Sequence, residues 1–296
     1  MATSLKLQGS MTALVTPFKS GKLDLASFTA HCEWQIAQGT SALVPCGTTG
    51  ENPTLSRDEQ LEVIKVCVKA AAGRVPVIAG TGKNDTRETI ELTKAARELG
   101  ADAVLVVTPY YNKPTQDGLY RHYMAVAEAV DVPIVLYNVP GRTGVNMLPE
   151  TVARCTDHPR IVATKEASAD LVQAAEIHRL CGTKIAVISG EDALTFPLIC
   201  QGAVGVISVT SNVVPAEMAT LCALSASGDL AGARALHLKL LPLMKVLFVE
   251  SNPAPAKAAL AKMGRMSAEC RLPLAPMADA NRAKVEAALR DLGIGS

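Results

Sequence analysis

The 296-residue chain predicts an α/β fold, a (β/α)₈ barrel of the TIM type followed by a C-terminal helical extension. Three observations carry that reading: eight short apolar runs, helical patterns between them, and a final stretch with helical signals alone. The runs are Met11–Val15, Ala42–Pro45, Val75–Ala79, Ala103–Val107, Pro133–Tyr137, Ile161–Lys165, Ile185–Ser189 and Gly205–Val209. Each has the length of a strand and is too short for a helix. Most are apolar throughout, as parallel strands covered on both faces should be.

Between them, Glu59–Ala72, Arg87–Leu99, Leu119–Ala129 and Asp170–Leu180 repeat apolar residues at three- and four-residue steps, the pattern of amphipathic helices. Strand and helix alternate with no break in composition, which places a catalytic barrel over 1–212 with a closing helix near 215–225. Beyond Val209 the strand signal stops. Pro215–Ser225, Asp229–Phe248, Ala256–Met263 and Asp279–Leu292 read as helices, so 226–296 is a C-terminal helical region. A doubly wound open sheet shows the same alternation. The strand count favours the barrel, and no GxGxxG follows the first strand.

Bulk properties exclude several classes of function. A net charge of +1 gives no general attraction to nucleic acid or anionic lipid, and 3% aromatic residues leave few stacking platforms for bases. Eight cysteines and five histidines are scattered, with no cysteine pair at zinc-ligand spacing. Reduced, mostly buried thiols in a cytoplasmic protein are the expectation. The N-terminus lacks a signal-like apolar stretch. The uncharged segment 193–216 contains Pro197, Gly202, Gly205 and Pro215, which suits a helix, a turn and a strand and not a membrane span.

A barrel of this kind places its active site at the C-terminal ends of its strands. Polar residues gather there: Gly47-Thr48-Thr49-Gly50-Glu51 after the second strand, Thr108-Pro109-Tyr110-Tyr111-Asn112 after the fourth, Tyr137-Asn138 after the fifth and Lys165-Glu166 after the sixth. A lysine closing a β-branched run sits where burial favours the neutral amine, the form that attacks carbonyl carbon. Tyr137 ends the neighbouring strand at matching depth, roughly 5 Å away in a parallel sheet, and its hydroxyl can pass protons during imine formation. Taken singly, the lysine also fits a strand-end side chain reaching solvent, and the tyrosine a core residue. Together they favour catalysis. Gly-Thr-Thr-Gly lacks the ending of a P-loop and suits a carboxylate, or a plain turn. Arg142, in Val139-Pro140-Gly141-Arg142-Thr143-Gly144, offers a planar fork for a carboxylate or closes a turn.

These segments, together with Lys165-Glu166-Ala167-Ser168, Gly205-Val206-Ile207-Ser208-Val209 and Leu247-Phe248-Val249-Glu250, resemble the dihydrodipicolinate synthase family from the barrel into the C-terminal helices. Gly-Thr-Thr-Gly-Glu and the lysine segment mark the wider pyruvate-dependent Schiff-base lyase superfamily, and the paired tyrosines with the arginine loop are more specific. The resemblance implies condensation of pyruvate, as an imine on Lys165, with L-aspartate 4-semialdehyde in the diaminopimelate route to lysine. It implies that Tyr137, Thr49 and Tyr111 relay protons, Tyr111 from a neighbouring subunit. Thr48 and Thr49 would hold the pyruvate carboxylate and Arg142 that of the semialdehyde, while Gly190 and Ile207 would line the pocket. No organic cofactor or metal is implied. The assembly implied is a homotetramer, a dimer of dimers.

The chain departs from the family pattern in places. Ala163-Thr164 replaces the commoner Gly-Ile before the lysine, and Ser251 stands at a frequent proline. Many members are inhibited by lysine in a cleft between subunits, which Asn84, Glu88 and Tyr110 match. Asn52, Pro53, Arg57 and Gln60 do not, and an arginine near an ammonium is unfavourable, so weak or absent inhibition is expected. Sister aldolases for N-acetylneuraminate or 2-keto-3-deoxy sugar acids would share Lys165, Tyr137 and the Gly-Thr-Thr-Gly loop but not the Tyr110-Tyr111 pair or the Arg142 loop. A non-catalytic keto-acid-binding barrel would have lost the lysine or tyrosines. A phosphate-gripping barrel would not carry Glu191 and Asp192 after the seventh strand.

Overall fold

A computed structural model of the chain describes residue 5 and residues 7–294. Eight parallel strands form the inner ring: β1 (Gly9–Ala13), β2 (Ala42–Val44), β3 (Ile78–Gly80), β4 (Ala103–Val107), β5 (Ile134–Asn138), β6 (Ile161–Glu166), β7 (Ala186–Ser189) and β8 (Gly205–Ser208). Their hydrogen-bonded order is β2-β1-β8-β7-β6-β5-β4-β3, and an isolated parallel bridge between Leu43 and Val77 closes the ring. At that seam Gly80 N–H donates to the Pro45 carbonyl, and a Cβ on Gly80 would lie 2.2 Å from the Cys46 carbonyl oxygen. Only glycine lets the two backbones approach so closely.

The outer layer is α1 (Leu25–Ala37), α2 (Arg57–Ala71), α3 (Thr86–Glu98), α4 (Gln116–Ala129), α5 (Pro149–Cys155), α6 (Leu171–Cys181), α7 (Thr195–Cys200) and α8 (Pro215–Ser227). Each strand is followed by one of these helices, the βα repeat that the apolar runs predict. Their starts are set by side-chain caps. Ser56 and Glu59 form a capping box on α2, and Asp85, Thr115 and Asp170 cap α3, α4 and α6. A third group, α9 (Leu230–Val246), α10 (Ala254–Lys262) and α11 (Asp279–Asp291), packs with α8 around Leu221, Leu240, Leu243, Leu260 and Leu289. None of the described helices is long and apolar enough to cross a membrane.

The differences from expectation are instructive. The apolar run Met11–Val15 predicts a strand two residues later than β1. Leu14 and Val15 are fully buried beyond the end of β1: Leu14 N–H still donates to the Val44 carbonyl of β2, whereas Val15 N–H donates to the Asn212 side chain, 3.1 Å away. At Val15 apolarity reports burial, not strand pairing. The short helix α5 and a hairpin joining Phe18–Lys19 to Lys22–Leu23 go beyond the sequence reading, being too brief to establish a period, whereas α7 is the helix expected within 193–216. All eight cysteines are free, six of them buried, as the scattered spacing implies.

The barrel interior is filled by Met11, Val44, Ile78, Leu105, Val135 and Ile207 with their neighbours, and Tyr137 belongs to this layer. The interior is thus a packed plug and not a pore, and the space for chemistry lies above it, at the C-terminal ends of the strands.

Candidate active site

Parallel pairing of β5 with β6 sets Tyr137 opposite Lys165 and Asn138 opposite Glu166. Side chains alternate along a strand, so the first pair turns toward the barrel mouth and the second toward the helices. Lys165 is 5% exposed, and its amine lies over the Tyr137 ring, 4.3 Å from the centroid. Gly190, at the end of β7, packs directly on the lysine stem: a Cβ there would come 3.1 Å from Lys165 Cε and 2.6 Å from the Ala167 methyl. Ile207 is buried opposite Met11, in the floor.

The outward pair anchors these strand ends. Asn138 donates to both Glu166 oxygens at 3.2–3.3 Å and to Asn146 at 2.8 Å, while its own Oδ1 accepts from Met147 N–H. Glu166 also accepts from Ser168 N–H and Gln173. Burial raises the Glu166 carboxyl, and these donors work against that rise. Beside the lysine, burial and the charge of Asp192 raise Glu191, and Lys165 opposes them. Asp192 itself accepts from the backbone of Val209 and Thr210 and from the Thr210 hydroxyl, tying the end of β7 to the end of β8.

A cavity of about 240 Å³ opens over the strand ends, lined by Gly47, Thr48, Asn52, Tyr110, Tyr137 and Arg142 among others. Its wall includes the Tyr137 ring, against which the Lys165 amine lies. Cys46 also faces it, but burial pushes this thiol up to about 12, so it stays protonated and is no nucleophile near neutral pH. Arg142 sits exposed at the rim, on the single helical turn Pro140–Thr143, and makes no ion pair with a described residue.

Thr49 is buried beneath Thr48, and its hydroxyl accepts a hydrogen bond from Asn252 Nδ2 at 3.0 Å. Glu51 ends the same segment in the left-handed region, φ +55°, and is buried against Lys257. The Lys257 amine, 0% exposed, donates to Glu51 and to the Glu269 carbonyl and lies over the Phe18 ring. Burial lowers this lysine and Glu51 opposes the shift. The Arg271 backbone N–H supplies a further donor to Glu51. The sequence pointed to neither Asn252 nor Lys257. A lysine inside the apolar run Ala254–Leu260, and a motif glutamate with no cation nearby in sequence, were the available signals.

Tyr111 stands apart. It is 89% exposed with φ +73°, its N–H reaching the Thr143 carbonyl of the arginine loop, and its ring is not brought to Lys165. Tyr110 faces the cavity over the strand ends, and burial and then Glu88 raise its phenol. Glu88 itself lines a second groove of about 340 Å³ between α2 and α3, with Arg57, Lys83 and Arg87. Asn84 lines neither space, and its carbonyl accepts from the Asn112 side chain. No cluster of three or more metal-ligating side chains occurs among the described residues.

Residues 6–292 match the dihydrodipicolinate synthetase family. A 4-hydroxy-tetrahydrodipicolinate synthase of Geotalea uraniireducens is 56% identical over 287 residues, spanning 97% of this chain and 99% of the relative. The chloride-inhibited dihydrodipicolinate synthase of Acinetobacter baumannii, solved with pyruvate, superposes with a TM-score of 0.96 at 49% identity, covering 98% of this chain and 100% of that one. A monomeric dihydrodipicolinate synthase variant superposes equally well, TM-score 0.96, at 48% identity and 97% coverage of each chain. The strand-end lysine and tyrosine, the Gly-Thr-Thr-Gly-Glu loop and the full-length matches agree, and the chain belongs to the dihydrodipicolinate synthetase family.

Proposed function

We infer that this protein acts as a 4-hydroxy-tetrahydrodipicolinate synthase, condensing pyruvate with L-aspartate 4-semialdehyde through an imine on Lys165. The observation that carries the mechanism is the buried Lys165 amine against Tyr137, at matched register on adjacent strands beside a cavity. The neutral amine adds to the pyruvate keto carbon and water leaves. The protonated imine then draws electrons as a methyl proton departs. The resulting enamine attacks the aldehyde carbon, and cyclisation with release follows. Tyr137, Thr49 and Tyr111 move the protons. Thr48 and Thr49 hold the pyruvate carboxylate, and the unpaired Arg142 at the rim receives that of the semialdehyde. Gly190 leaves room for the lysine stem, and Ile207 closes the floor.

Tyr111 reaches a relay only if a second copy of the chain presents it, and its exposure and left-handed backbone support that arrangement. The assembly in this reading is a cytoplasmic homotetramer built from two such dimers. The groove between α2 and α3 holds Arg57, Lys83 and Arg87 against Glu88 and Glu91, a small excess of cations that opposes a cationic amino-acid effector. Inhibition by lysine is therefore weak or absent. The decisive experiment is intact-mass spectrometry after mixing with pyruvate and borohydride, followed by peptide mapping. One reduced-pyruvate adduct on Lys165 is expected. An adduct on another lysine, or none, would refute the imine assignment.

A further inference from the structure

Past Glu51 the loop after β2 makes a single 3₁₀ turn, Asn52–Thr54. Asn52 lines the cavity over the strand ends and not the groove between α2 and α3. Its side-chain oxygen accepts twice, from Lys83 Nζ at 3.1 Å and from Gln60 Nε2. The orientation of both amides follows from their partners. Gln60 Nε2 also donates to the Asn52 and Leu55 carbonyls, 3.0 and 3.4 Å away, so the nitrogen of that buried amide must face them. The Asn52 atom that meets this N–H group is therefore Oδ1, and Nδ2 keeps its donors with no acceptor among the described residues. We propose that Asn52 is a substrate-binding residue, whose Nδ2 donates to an oxygen of the carboxylated aldehyde that condenses with pyruvate. The inference rests on the two-substrate reading above and names a further group for its second reactant.

The placement favours the second reactant over pyruvate. Pyruvate is fixed at its keto carbon by Lys165 and, in the same reading, at its carboxylate by Thr48 and Thr49. The polar side chains left on the cavity wall include Asn52, Tyr110 and Arg142. The second reactant offers oxygens on a carboxylate and an aldehyde, all of them acceptors, and an ammonium that an N–H donor does not hold. The donor is also held still. Pro53 follows it, and its backbone carbonyl accepts from Leu55 N–H at 3.2 Å as well as from Gln60. Lys83 and Gln60 themselves line the groove on the other side of this wall, so the amide is gripped from behind and open in front. A donor fixed before binding loses little freedom when its ligand arrives.

The test removes the donor and keeps its anchors. In Asn52→Asp a carboxylate accepts from Lys83 and Gln60 as the amide oxygen does, but it offers the cavity no N–H group. Asn52→Ala removes oxygen and donor together. The full-length parent and both variants are compared for kcat and, separately, for KM of pyruvate and of L-aspartate 4-semialdehyde. The rate of borohydride trapping with pyruvate alone and the thermal midpoint accompany each. Asn52→Asp is expected to raise KM for the semialdehyde ~10–100-fold, the worth of a hydrogen bond to a charged group. KM for pyruvate and the trapping rate should change less than about threefold. Asn52→Ala should raise the semialdehyde constant by a smaller factor, since it adds no repelling charge.

An unchanged KM for the semialdehyde in Asn52→Asp would overturn the proposal. So would a lower one, which would place the ammonium at this wall, or an equal rise for pyruvate, which would assign the amide to the first reactant. Should Asn52→Asp fail to fold, Asn52→Ala decides on the same two constants. Failure of the unaltered protein to trap pyruvate on Lys165, or to turn over the semialdehyde, would overturn the two-substrate reading and this inference together. Normal trapping and turnover in the parent, with parental constants in both variants, would overturn this inference alone.

Discussion

Two sides of the active site are held by different means. On one side Lys165 and Tyr137 come from consecutive strands, paired in register, with Gly190 from the next strand against them. On the other, the Gly-Thr-Thr-Gly-Glu loop after β2 is held by Asn252, Lys257 and Arg271, about two hundred positions later in the chain. The first side is a property of the barrel ladder itself. The second depends on a helical extension closing over the barrel. The Lys165 amine therefore sits on rigid strand, and the Gly-Thr-Thr-Gly-Glu loop takes its shape from groups of the C-terminal extension. Losses on the first side should fall on chemistry, and losses on the second on stability and loop geometry.

The largest effect should come from Lys165→Ala, which removes the nucleophile: turnover should fall by ~10⁴-fold or more, with the thermal midpoint nearly unchanged. A variant that still condenses its substrates at a measurable fraction of the parental rate would erase the contrast. On the far side, Lys257→Met leaves Glu51 buried without its cation, and chemical denaturation should show a loss of about 3–5 kcal/mol. Adding Glu51→Gln should recover much of it. A loss confined to turnover would show that the extension acts on chemistry directly.

Gly190→Ala sharpens the comparison from the strand side. The added methyl would lie 2.6 Å from the Ala167 methyl, which must shift, and 3.1 Å from Lys165 Cε, which must give by a few tenths of an ångström, at a cost of about 1–3 kcal/mol. The rate of borohydride-trappable adduct formation should fall more than stability does. Equal effects on both would mean the strand side is ordinary packing.

The smallest effect concerns Arg271, whose guanidinium binds Glu59 through two bonds of 2.6 and 2.7 Å and holds that carboxyl down to about 2. A carboxyl lowered by folding adds stability that is fully present above its unfolded value near 4.5 and is lost as pH falls through about 2. Because the pair is partly exposed, Arg271→Ala should cost only ~1 kcal/mol at neutral pH. Parent and variant should converge as the pH is lowered across that range. A constant difference throughout would assign the effect to the pH-independent contacts of Arg271, its bonds to the Thr54 and Gly21 carbonyls and its place over the Phe18 ring.

The fold was legible because parallel strands buried on both faces leave unbroken apolar runs. Strand ends were less so: Val15 is as apolar as β1 but bonds to the Asn212 side chain, and the α5 segment is too short to show a period. Lys165 and Tyr137 were readable as a pair since their runs are neighbours in order and the register of a parallel sheet does the rest. Asn252 and Lys257 were not. An asparagine before a proline and a lysine in an alanine-rich helix say nothing locally about which distant group they meet. Tyr111 stands out by its motif, yet the chain by itself leaves it 89% exposed and brings it to none of the other site residues.

By itself, then, the sequence determined the alternation of strand and helix, the position of the lysine at a strand end and the polar character of one barrel face. Those follow from local periodicity and from which residue types tolerate burial, which a linear chain displays directly. Only the tertiary structure decided which donor faces the Thr49 hydroxyl, which cation neutralises Glu51 and how little room Gly190 leaves beside Lys165. Those are contacts between segments far apart in sequence, fixed when the extension packs on the barrel and the strands take their places in the ring.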